Sequence, residues 1–236
     1  MQSKLRMLVG LAVVALFVGQ SAVVDGQSLG AVAGRKENLD LPFDAGTFEG
    51  EDGEEDAPET IRFYGQQYEG DGVFFVIDRS GSMQDTGELK IAKKEVLRNI
   101  SDFTNRVQFG IVFFDNGILK YPQGGRPAEA NPAMKAGALN WVNSVSGGGG
   151  SCMSKGFVEV LKFANQSSAD RRVVIYVGDG AGSCAGHVTT LSIVKSQNYR
   201  RAQVNTIGVL DVSGENEQFM RRLAGSNAGS YTYVSR

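Results

Sequence analysis

The run Val73-Phe74-Phe75-Val76-Ile77 is apolar at every position and stops on Asp78. Successive strand residues point to opposite faces of a sheet, so a run apolar throughout belongs to a strand covered on both sides. The chain from Gly72 onward agrees. Leu89, Ala92, Val96, Ile100 and Phe103 recur at three- and four-residue spacing, which predicts a helix with one buried stripe. Asp85, with Glu88 three residues on, reads as its capping box. Val107 to Phe114, Arg172 to Val177, Val204 to Leu210 and Ser230 to Val234 are further strand candidates, and Ile118 to Tyr121 is a short one after a turn at Gly117. Helical patterns over Ala133 to Val145, Met153 to Ala164, Val188 to Tyr199 and Glu215 to Leu223 lie between them. Strands alternating with helices predict an α/β fold, with a mostly parallel sheet carrying helices on both faces. Ahead of this pattern, Ile61 to Tyr64 is a short strand candidate ended by Gly65.

The 236 residues suffice for one domain and a tail. Residues 1–26 read as a signal peptide: Lys4 and Arg6, an apolar run from Met7 to Val18, then the small residues Gly19, Ser21, Ala22 and Gly26. The run is short of the roughly 20 apolar residues that span a bilayer. No later segment is apolar enough to cross a membrane. An exported protein is therefore expected: secreted, periplasmic or associated with the cell envelope. Residues 27–59 read as an acidic disordered linker, with eight acids and no base from Asp44 to Glu59 and no apolar periodicity. Residues 60–236 remain as the folded domain. The formal net charge of −2 hides two unlike parts, since residues 1–70 hold 5 bases and 12 acids whereas residues 71–236 hold 19 and 14. The near-neutral total argues against a nucleic-acid binder. The basic excess of the domain favours an acidic partner.

On folds of this class ligands bind beyond the carboxyl ends of the strands. There the chain places Asp78, Ser80 and Ser82 after the first buried strand, Ser151 after a glycine run, and Asp179 after the strand ending at Val177. These are two carboxylates and three hydroxyls, an all-oxygen set suited to a hard cation. Hydroxyls in place of further carboxylates leave such a cation electrophilic.

The run FFVIDRSGSM, with Asp78, Ser80 and Ser82, resembles the Asp-x-Ser-x-Ser motif of the von Willebrand factor type A domain family. That motif begins the family's metal-ion-dependent adhesion site. Gly149-Gly150-Ser151 is similar to the family's Gly-Gly-Thr segment, with Ser151 in place of the threonine. Gly178-Asp179-Gly180 matches its Thr-Asp-Gly in the Asp and the last Gly. The resemblance covers about Gly72 to Val234. It implies a doubly wound six-stranded sheet with one antiparallel edge strand, here Ile118 to Tyr121. It further implies a metal site of Asp78, Ser80, Ser82, Ser151 and Asp179. Ser80 and Ser82 would contact the metal directly, Asp78 and Asp179 through water, and Ser151 directly once a ligand is engaged. The expected ion is Mg²⁺, with Mn²⁺ or Ca²⁺ as alternatives.

That fold places Cys152 and Cys184 on loops at one edge of the sheet, and in an exported protein a Cys152–Cys184 disulfide is the expectation. A zinc site of Cys152, Cys184 and His187 is the alternative, but it musters only three ligands. His187 is the one histidine, so a Ser/His/Asp triad would need it, and no G-x-S-x-G elbow is present.

The resulting expectation is a metal-dependent protein-binding module, not an enzyme, presenting a divalent cation to a carboxylate of a partner protein. Two alternatives are a metal-free structural module of an envelope assembly and a metal-assisted hydrolase. For the second, no P-loop, nucleophile–base pair or cofactor fingerprint appears.

Overall fold

A computed structural model describes residues 57–210 and 212–235. The expected signal peptide and all but the last three residues of the expected acidic linker lie outside the described residues.

The chain first forms a hairpin, β1 (Thr60–Phe63) paired antiparallel with β2 (Gln66–Glu69). Tyr64 and Gly65 turn it, both at positive φ, as a two-residue hairpin turn with the right twist requires. The main sheet contains β3 (Gly72–Asp78), β4 (Gln108–Phe114), β5 (Ile118–Tyr121), β6 (Ala128–Glu129), β7 (Arg172–Gly178), β8 (Gln203–Val209) and β9 (Tyr231–Val234). Its order is β5-β4-β3-β7-β8-β9. β3, β4, β7, β8 and β9 run parallel, and β5 closes one edge antiparallel to β4. The six expected strands thus form the path. β6 adds a seventh by pairing with the start of β4 through only two residues, too few to leave a periodic signal.

Among the described residues six helices accompany the strands: α1 (Gly81–Asp85), α2 (Glu88–Asp102), α3 (Pro132–Ser144), α4 (Met153–Gln166), α5 (His187–Gln197) and α6 (Gly214–Gly225). The expected capping box is not formed. Asp85 closes α1, and α2 starts from Gly87 at φ 81 with no side-chain cap. The five-residue α1 is too short to show a stripe, so the turn after β3 gave no sign of it and Asp85 read as a cap.

β3 is buried along its whole length. Its odd residues Val73, Phe75 and Ile77 join one core with α2, α3 and the hairpin residues Ile61, Phe63 and Tyr68. Its even residues Phe74 and Val76 join a second core with Phe157 and Leu161 of α4 and Phe219 and Leu223 of α6. The two-sided apolar run therefore does what its composition requires, and it delivers Asp78 to the end of the central strand. Among the described residues no helix is long and apolar enough to cross a membrane.

Candidate functional site

The loops after β3 and β7 and the glycine-rich loop before α4 come together at the carboxyl end of the sheet. Asp78 ends β3 and is fully buried. Its Oδ1 accepts the Ser80 backbone N–H at 2.7 Å, and its Oδ2 accepts the Ser151 hydroxyl at 2.7 Å. The Ser80 and Ser82 hydroxyls lie 3.2 Å apart, and the Ser82 hydroxyl donates to Asp179 Oδ2 at 3.2 Å. Asp179 Oδ1 accepts the Ala181 N–H at 2.9 Å. All five expected residues thus meet in one hydrogen-bonded set of oxygens. Ser80 and Ser151 are buried, Asp179 half-buried and Ser82 exposed, so the set opens to solvent on the Ser82 side.

Backbone contacts fix the loops against each other. Gly81 N–H donates to Gly149 O at 3.1 Å, and Gly148 N–H donates to Arg79 O at 2.8 Å. A Cβ at Gly147 would lie 2.9 Å from Arg79 O, so the close approach requires glycine there. Two residues that motif reading missed complete the frame. Asp115, just past β4, pairs with Arg79 at 2.7 Å, and its carbonyl accepts the Cys152 N–H. Ser183 clamps Ser151 from both sides: its hydroxyl accepts the Ser151 N–H at 3.0 Å and donates to Ser151 O at 2.9 Å. Asp115 had a signal, because it follows an apolar strand just as Asp78 ends one. Ser183 had none.

Cys152 and Cys184 form a disulfide with Cα atoms 5.1 Å apart. It joins the Ser151 loop to the loop after Asp179. No free cysteine remains to ligate zinc, and His187 instead stacks on Phe219 with ring centroids 4.5 Å apart while its Nε2 meets Gly180 O at 3.0 Å.

Gly178, where the resembling family has threonine, also finds its reason. A Cβ there would lie 2.6 Å from the Tyr176 hydroxyl and 3.0 Å from Asp78 Cβ. The tyrosine fills the space, fully buried between the two acids' loops, and burial pushes its pKa well up.

Burial also pushes the Asp78 carboxyl up to about 6, against the hydrogen bonds from Ser80 and Ser151 that favour its charge, while Asp179 adds repulsion. No lysine or arginine pairs with it among the described residues; the nearby Arg79 is spent on Asp115. A buried carboxylate without a counter-charge beside four more oxygen side chains is a donor set that a hard cation would complete. Among the described residues no three His, Cys, Asp or Glu side chains converge, so softer or more acidic metal sites have no counterpart here.

Topology and loop arrangement are those of a Rossmann-like α/β domain with loops gathered at its strand ends. The chain belongs to the von Willebrand factor type A domain family, whose model matches residues 72–236. No curated protein matches it. Among solved structures it is similar to a von Willebrand factor type A protein from Catenulispora acidiphila, at 18% identity and a TM-score of 0.62 over 72% of this chain and 40% of that one. It is also similar to the pilus adhesin SpaC from Lactobacillus rhamnosus GG, at 15% identity and a TM-score of 0.57 over 72% of this chain and 28% of that one. A third is proximal thread matrix protein 1 from the mussel byssus, in a structure with a zinc-occupied metal-ion-dependent adhesion motif, at 18% identity and a TM-score of 0.54 over 70% and 41%. At these identities the likeness is one of fold, and this chain spans less than half the length of each.

Proposed function

We propose that the chain is an exported protein-interaction module that holds a divalent cation at Asp78, Ser80, Ser82, Ser151 and Asp179 and offers it to a carboxylate of a partner protein. The observation that carries this reading is the convergence of five oxygen side chains from three loops around the uncompensated charge of Asp78. Ser80, Ser82 and Ser151 would hold the ion through their hydroxyls, with Asp78 and Asp179 behind them. When bound, the cation supplies an electrophilic position for an acidic side chain. The chain's own residues prepare that position. Asp78 orients the Ser80 amide and the Ser151 hydroxyl, Ser183 anchors Ser151, and Arg79 with Asp115 holds the first loop to the end of β4. Mg²⁺ suits the all-oxygen set, with Mn²⁺ or Ca²⁺ as alternatives.

Family membership supports an interaction role over catalysis, as do neighbours that include a pilus adhesin and a byssus matrix protein. A leader at residues 1–26 and an acidic linker at 27–59 fit export of a tethered domain, and the disulfide fits an oxidising compartment. Titration calorimetry with Mg²⁺ and Mn²⁺ tests the site. The wild type is expected to bind one ion and Asp78→Ala none, with the variant's fold checked by circular dichroism. Equal binding by both would remove the metal from this site.

A further inference from the structure

The opposite end of the domain, where the strands begin, carries a second feature. α5 and α6 both end there, and a groove of about 860 Å³ opens between their last turns and the start of β8. Lys195, Arg201 and Arg222 line it, all exposed, and no acidic residue does. None of the three side chains has an ion-pair or hydrogen-bond partner among the described residues. Most other cations of this face are engaged: Arg172 and Arg200 bond backbone carbonyls, and Arg171 approaches Glu69 at 3.9 Å. Leu191 and the buried Ala202 give the groove an apolar floor, and Tyr199 stands beside it 69% exposed.

The backbone after each of the two helices turns through a left-handed residue. Arg201 and Ala228, both at the groove, hold φ of 54°. A left-handed conformation costs a residue with a Cβ on the order of 1 kcal/mol or more, and glycine would avoid it. Position 201 carries an arginine, which lines the groove together with the two helix-borne cations.

We propose that this groove binds an acidic peptide segment of a partner protein. Its carboxylates would sit on Lys195, Arg201 and Arg222, and one bulky apolar side chain on Leu191, Ala202 and Tyr199. Three unpaired cations without an acid ask for an anion. The apolar floor selects among anions, because an acidic sugar polymer has no apolar side chain to fill it. The groove lies at the other end of the strands from Asp78, so it works without the metal.

The test is fluorescence anisotropy of the full chain in EDTA, with a labelled synthetic peptide of glutamates around one central phenylalanine. Saturable binding is expected, weakened about tenfold or more by Arg201→Gly and by Lys195→Glu combined with Arg222→Glu. Arg201→Gly places glycine where the backbone already favours it, so its thermal midpoint is expected to be no lower than the wild type's. Binding is expected to persist in Asp78→Ala, which separates this groove from the metal reading. Absence of saturable binding would overturn the proposal, as would binding unchanged in both variants. Equal binding of an all-glutamate peptide or of a sulfated polysaccharide would overturn it too, because the apolar floor would then select nothing.

Discussion

Asp78 is a carboxylate buried away from bulk solvent, with no cationic side chain paired to it among the described residues, and its protonation is therefore tied to folding. In the metal-free folded protein its pKa is about 6, against an ordinary value of 3.8 for the unfolded chain. The folded state thus binds this proton more tightly. Its contribution to stability is complete below the unfolded value and is lost as pH rises through the folded one. In EDTA, the unfolding free energy of the wild type is expected to fall between pH 4 and 7 by about 2 kcal/mol more than that of Asp78→Asn. Denaturant titrations at both pH values measure this. Parallel slopes for the two proteins would mean that burial does not disfavour the charge. Asp78, Ser80 and Ser82 were legible because they stand together just past an unmistakable strand. Ser183 was not, because it acts on backbone groups 32 residues away and has no spacing that marks it.

At the scale of elements, the hairpin is what the sequence left half-read. Ile61 and Phe63 alternate inward while their neighbours face water, and this pattern marked β1. β2 buries only Tyr68 of four residues, so its partner went unseen. Yet Phe63 is fully buried and stacks on Phe75 of the central strand at 5.3 Å. The hairpin therefore belongs to the core. Phe63→Ala is expected to destabilise the domain by about 3–5 kcal/mol in chemical denaturation. A loss below about 1 kcal/mol would make the hairpin an appendage. The long strands, α2, α4 and α6 were legible for the converse reason: each buries a run or stripe of residues and repeats the signal along its length. The short α1 and β6 are set by tertiary contacts that local periodicity cannot carry.

For the molecule as a whole, the disulfide is a constraint on the unfolded chain as much as on the fold. It closes a loop across a sequence separation of 32 that contains α4 and β7. Replacing both cysteines with serine is expected to lower global stability by about 2–4 kcal/mol, read from denaturant midpoints. An unchanged midpoint would mean that the unfolded chain is not restricted by the bridge. The hairpin also gives the domain a mechanical character. Load entering at Ala57 meets β1 first, and Thr60 pairs with Glu69 at the open end, so β1 peels away from β2 with its residue pairs breaking in succession. Load that reaches β3 and leaves through Ser80 and Ser82 runs along the strand axis instead. It is then resisted in shear by seven residue pairs with β4 and six with β7 at once. A domain pulled between its N-terminal side and its strand-end loops would yield by unzipping the hairpin, with the core contacts of Ile61 and Phe63, before its central sheet takes the strain.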